Sequence, residues 1–162
     1  MAEATPEPTI DLLFLLNQAS WSLSAQLNLA LAALGISIRD YCVLWKALEG
    51  DRTQKEIADA ALLDKTTMVT TVDGLEAAGL AERRPSPVDR RARLITVTPA
   101  GRRIVAKGKT VIDEVIADVL DSIPARQQSA FLTGLQHLVD GRLALPSHVP
   151  GLRRSRGTTI DV

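Results

Sequence analysis

Residues 63–101, LDKTTMVTTVDGLEAAGLAERRPSPVDRRARLITVTPAG, leave few foldings open. Asp64 supplies a side-chain oxygen for the orphan N–H groups of a first helical turn. Met68, Val72 and Leu75 then recur at i, i+4 and i+7, one stripe of a helix turned to a core. At about 100° per residue, Thr66, Thr70 and Asp73 fall on the opposite side, flanked by Thr67 and Gly74. Gly79 follows two alanines where a helix C-cap belongs. Residues 80–84 and 94–98 read as strands, the second alternating and rich in β-branched residues. Pro85 and Pro87 between them make a stiff exposed loop rather than a two-residue turn.

A second helix precedes this one at short range. Thr53 and Glu56 have the spacing of a capping box, and Ile57, Ala60 and Ala61 would form a small apolar face over about two turns. Leu62 and Leu63 then lead into Asp64. Two helices joined by so short a turn form a helix-turn-helix, whose second helix enters a major groove. The strands and their loop would form a wing. A threonine-rich helix face suits the groove, since a hydroxyl can donate or accept at base edges and its methyl can touch a thymine methyl. Thr66, Thr67 and Thr70 are the candidate base readers, and Lys65 at the helix start a phosphate contact.

Charge follows the same map. The chain carries 19 basic and 19 acidic residues, yet residues 81–107 hold eight of the former and two of the latter, a net of +6. A neutral protein with one concentrated basic segment has a directed field, and the phosphate backbone is the usual anion for it.

In its spaced motifs the chain resembles the MarR family of bacterial winged-helix transcription regulators. The residues that carry the resemblance are Leu34-Gly-Ile-Ser37, Thr53 with Ile57-Ala58, Leu63-Asp-Lys-Thr-Thr-Met-Val69, Asp73-Gly-Leu-Glu76, Gly79-Leu80, Glu82-Arg-Arg84, Asp89-Arg-Arg91 and Thr98-Pro-Ala-Gly101. The resemblance implies that Arg91 enters the minor groove, that Asp89 orients it through an ion pair, and that Arg90 lies near the wing tip against phosphate, with Arg84 in the same wing. It also implies a homodimer whose two recognition helices meet a pseudo-palindromic duplex about one helical turn apart.

The expected fold is mainly α with a small β-wing. A winged helix-turn-helix domain over residues 34–98 would be flanked by an N-terminal dimerisation helix over 7–33 and C-terminal dimerisation helices over 99–143. Thr98 and Pro99 open the first of these in N-cap and N1 order, and Pro124 opens the last. Their leucines, isoleucines and valines exceed what so small a domain can cover, which is why a dimer is expected. Residues 144–162, rich in Pro, Gly, Ser and Arg, read as a flexible basic tail.

Other classes of function find little support. Two histidines, His137 and His148, and the single Cys42 make no convincing metal set, and no phosphate loop or nucleophile elbow occurs, so neither a catalytic residue nor a cofactor is expected. No apolar run is long enough to span a bilayer, and a cytoplasmic location is expected. The resemblance implies relief by a small aromatic or phenolic effector in a crevice between the winged domain and the dimer helices. Aromatics are only 3% of the chain, so Trp21, Tyr41 and Trp45 are the candidates, with Arg39 for a ligand carboxylate. Two alternatives stay open: a redox switch at Cys42, and a winged-helix module that binds protein instead of DNA.

Overall fold

Among the described residues, five of the six α-helices start where a side chain closes the first turn; the last, opened by Pro124, has no such cap. A computed structural model describes residues 11–50, 52–89 and 91–144, and the statements below concern those residues. Helix α1, Leu12–Leu31, begins at Asp11, whose carboxylate accepts from the Phe14 N–H at 2.9 Å. A single 3-10 turn, Ala32–Leu34, then ends at Gly35, whose φ of 71° reverses the chain without steric cost. Ser37 and Asp40 form a capping box for α2, Ile38–Ala47. Thr53 and Glu56 do the same for α3, Gln54–Ala60, as their spacing indicates.

Asp64 caps α4, Lys65–Ala77, and Met68, Val72 and Leu75 are all buried, so the stripe read from the sequence is the core face. The turn between α3 and α4 passes through Leu62 at a φ of 58°, a left-handed conformation unusual for a leucine. On α3 the buried residues are Ile57 and Ala58, while Ala60 is exposed and Ala61 only half-buried. The sequence reading had Ala60 and Ala61 on that face. A seven-residue helix is too short for its own periodicity to fix which side is covered; the packing of α2 and β2 against it does so.

Strands β1, Ala81–Pro85, and β2, Arg93–Val97, pair antiparallel with Ala81 opposite Val97 and Pro85 opposite Arg93. Leu80 belongs to the helix exit rather than to the strand: its N–H donates to the Leu75 carbonyl at 2.9 Å. Thr98 likewise leaves β2 to cap α5, Pro99–Asp121. A bridge between Thr53 and Leu94, with the Ile95 N–H donating to the Arg52 carbonyl at 3.2 Å, fastens the start of α3 to the wing. At Gly101 a Cβ would stand 2.1 Å from the Leu80 carbonyl oxygen, so only glycine lets α5 leave the sheet at this angle.

The core lies between α2, α4, the wing, the C-terminal part of α1 and the first half of α5. Beyond it the helices run on uncovered. On α1 only Leu27 and Leu31 are buried, and Leu12, Leu13, Phe14 and Leu15 are exposed. Helix α6, Ala125–Asp140, buries no residue at all. No single helix among the described residues is long and apolar enough to cross a membrane. Arg90, residues 7–10 of the expected N-terminal helix, and residues 145–162 of the expected tail lie outside the described residues.

Candidate nucleic-acid interface

The start of α4 is fixed by a tight cap. The Asp64 carboxylate accepts from the Thr67 hydroxyl at 2.6 Å and from the Thr67 N–H at 2.9 Å. These two bonds, the hydroxyl first, hold the Asp64 carboxyl below its ordinary range, so the cap is an anion at neutral pH. The hydroxyl proton of Thr67 is therefore committed to the cap; its methyl and an acceptor lone pair remain for a ligand. Thr71 is buried and donates to the Thr67 carbonyl at 2.8 Å. Lys65, Thr66 and Thr70 are exposed, and the Thr70 hydroxyl donates to the Thr66 carbonyl at 3.1 Å, a bond it can exchange for another acceptor. The free face of α4 thus consists of its N-terminal half.

Its C-terminal half is held by Arg83, which the sequence places on the first strand, in the Glu82-Arg-Arg84 motif and in the basic segment, without giving it a partner. Arg83 points inward from β1 and reaches two helices. Its guanidinium pairs with Asp73 at 2.7 Å and with Glu76, donates to the Val69 carbonyl at 3.2 Å, and donates through Nε to Gln54 of α3 at 3.1 Å. The Arg83 N–H also donates to Glu76 at 2.7 Å. One side chain therefore sets α4 against both α3 and the wing, and Asp73 is drawn to it. The available signal was the strand alternation of Glu82, Arg83 and Arg84, which requires one of two adjacent arginines to face inward.

Arg84 faces outward and pairs with Glu82 at 3.0 Å on the same strand, both largely exposed. In the wing loop, the Ser86 hydroxyl accepts from the N–H groups of Val88 and Asp89, and the Asp89 carboxylate accepts from the Arg91 N–H at 2.9 Å. Asp89 thus orients Arg91 through the backbone, in an Asx turn, where an ion pair with the guanidinium was expected. Among the described residues the exposed Arg91 guanidinium has no ion-pair partner.

Two clefts flank the free face of α4. On the wing side, a groove of about 740 Å³ is lined by Lys55, Lys65, Arg91 and Arg93, with Asp59 and Asp89 the acidic residues beside them. On the other side, a smaller cleft of about 360 Å³ separates α4 from the start of α2; Thr66, Thr67, Thr70, Thr71 and Gly74 line one wall, Ser37, Arg39 and Asp40 the other.

Of the four candidate effector residues, Tyr41 and Trp45 come together and Trp21 and Arg39 lie apart from them. Tyr41 is buried, its ring against α5 at Gly108, where a Cβ would stand 2.8 Å from the ring. Trp45 stacks on it with ring centroids 6.0 Å apart. Trp21 is 75% exposed on α1, and Arg39 belongs to the cleft beside α4. Burial, reinforced by the Asp113 carboxylate, pushes the Tyr41 hydroxyl up. Burial also raises the Cys42 thiol, against the opposing pull of Lys46, which disfavours the thiolate an oxidant would attack. Among the described residues no three His, Cys, Asp or Glu side chains gather as a metal site.

A capped helix-turn-helix braced against a two-stranded wing defines the class of winged-helix proteins. The model of the MarR family matches residues 34–92. A MarR family transcriptional regulator from Rhodococcus sp. RHA1 is 30% identical, with a TM-score of 0.74 over 83% of this chain and 96% of that one. CouR from Rhodococcus jostii RHA1, solved bound to p-coumaroyl-CoA, is 28% identical, with a TM-score of 0.72 over 90% of this chain and 100% of its own. A Mycobacterium tuberculosis MarR family protein in complex with salicylic acid is 26% identical, with a TM-score of 0.68 over 81% and 98%. The chain belongs to the MarR family of transcriptional regulators.

Proposed function

We propose that this protein is a cytoplasmic homodimeric repressor that binds a pseudo-palindromic DNA operator, with binding relieved by a small effector. The observation that carries the DNA reading is the free threonine face of α4 beside a groove lined by four basic side chains. Thr66 and Thr70 read base edges, and Thr67 adds its methyl. Lys65 holds phosphate, and Arg91, aimed outward by the Asp89 turn, enters the minor groove, where it senses width and potential more than base identity. Arg84 and Arg90 add wing charge near the backbone. The dimer is supported by the apolar surface that α1 and α6 leave uncovered.

An aromatic acid or its thioester is the effector class, supported by the p-coumaroyl-CoA and salicylic acid held by two relatives. The stacked Tyr41 and Trp45, between α2 and α5, are the aromatic surface it would meet.

Fluorescence anisotropy on duplex DNA from upstream of the protein's own coding region, against a scrambled duplex, tests the reading. Tight binding to the upstream duplex alone, falling steeply with salt, is expected. Arg91→Ala should weaken it by roughly tenfold or more without changing oligomeric state. Binding that ignores salt would point to a protein partner instead.

A further inference from the structure

The sequence suggests Arg39 for an effector carboxylate, but its position in the fold serves another anion. Arg39 stands in the first turn of α2 and is exposed. It lines the cleft whose opposite wall is Thr66, Thr67, Thr70 and Gly74 of α4. Asp40, the acidic residue that lines the same cleft, has its carboxylate turned into the helix cap, accepting from the Ser37 N–H at 2.9 Å and the Ser37 hydroxyl at 2.7 Å. Arg39 itself has no hydrogen bond or ion pair among the described residues.

A helix lying in a major groove is bordered by a sugar–phosphate strand on each side, the groove being only about 12 Å wide. The clefts beside α4 divide in that way. Lys65 and Met68 line the wing-side groove, which has its own basic residues, and Thr66, Thr67, Thr70 and Gly74 line the other, where Arg39 is the one basic side chain. We propose that Arg39 holds a DNA backbone phosphate on the flank of the recognition helix opposite the wing, so that each protomer clamps both strands bordering the groove it reads. This rests on the DNA-binding reading above. A guanidinium suits the task, because its fork of donors can grip phosphate oxygens while α2 keeps its stem fixed.

The test compares wild type, Arg39→Gln and Arg39→Lys on the upstream and scrambled duplexes across a salt series, with thermal melts and size-exclusion mass as controls. Neutralising one phosphate per protomer predicts a slope of log affinity against log salt that is shallower by about two per dimer in Arg39→Gln. Between 0.05 and 0.2 M salt, wild type would then lose roughly tenfold more affinity than this variant. The loss should appear on both duplexes, and Arg39→Lys should restore the slope, as a purely structural residue would not require.

An unchanged slope in Arg39→Gln, beside a wild type that binds steeply, overturns the assignment while sparing the DNA reading. Failure of wild type to bind either duplex overturns both. If Arg39→Gln binds DNA normally but loses release by added salicylate, the cleft holds a free carboxylate and the phosphate assignment is wrong.

Discussion

Met68, Val72 and Leu75 on α4 are 1%, 0% and 2% exposed, whereas Phe131, Leu132 and Val139 on α6 are 50%, 46% and 52% exposed. Both sets are apolar residues at helical spacing, and the helices that carry them look alike in sequence. The winged domain covers its own stripe because α2, α3, the wing and the Arg83 brace surround α4. Helix α6 follows a short break after the long α5 and folds back onto no surface large enough to hide it. A region whose contacts all lie within one protomer can fix a geometry; one whose apolar face is left over is built to find a second copy.

The largest effect should come from the uncovered region. Phe131→Glu places a charge where the dimer reading puts an interface, and should weaken self-association by about 3 kcal/mol, roughly a hundredfold in dissociation constant. Because Phe131 is half exposed in the single protomer, the fold itself should survive. Light scattering across a dilution series reads the change; an unaltered dimer mass with intact DNA binding would move the interface elsewhere.

Next comes the brace. Arg83→Met keeps much of the stem, and the backbone N–H that donates to Glu76, but removes the guanidinium from Glu76, Asp73 and the Val69 carbonyl, at a cost of about 2 kcal/mol in urea unfolding. DNA affinity should fall with it, although Arg83 is turned away from the free face of α4. A variant as stable as wild type would show that α4 is held by its apolar stripe alone.

The smallest effect concerns the caps. The folded-state carboxyls of Asp64 and Glu56 are depressed, Asp64 by the Thr67 hydroxyl and then its N–H, Glu56 by the Thr53 N–H and then its hydroxyl. Their contribution is therefore complete above the ordinary carboxylate range and is lost as pH falls through the depressed folded values. Asp64→Asn keeps a side-chain acceptor but cannot titrate. Thermal melts from pH 7 downward should show a slightly shallower loss in this variant than in wild type, beginning below about pH 5. Superimposable curves would mean that Asp64 is no better held in the folded chain than in the unfolded one.

Much of the winged domain was legible because its determinants are local. A cap bonds to the residue three positions on, so Asp64 with Thr67, Thr53 with Glu56 and Thr98 with Gly101 can be read directly as sequence spacings. The Met68, Val72 and Leu75 stripe is legible for the same reason, as is the charge of the wing. The candidate site was legible in its residue types and less so in their duties. That Thr67 spends its proton on the cap and that Asp89 holds Arg91 by the backbone depend on side-chain rotamers that no spacing specifies.

The sequence by itself determined where helices start, which face of α4 is apolar, and that a basic wing follows a threonine-rich helix, since these depend on neighbours within one or two turns. Only the tertiary structure decided that Arg83 joins Gln54 to Glu76, that Tyr41 fills the space Gly108 leaves open, and that Arg39 shares a cleft with α4 rather than with the aromatic pair. Gln54 and Arg83 are separated by 29 positions, and such pairs meet only after the whole domain has packed. Contact between distant residues is set by the mutual exclusion of side-chain volumes in a dense core, and that is a property of the assembled chain rather than of any stretch of it.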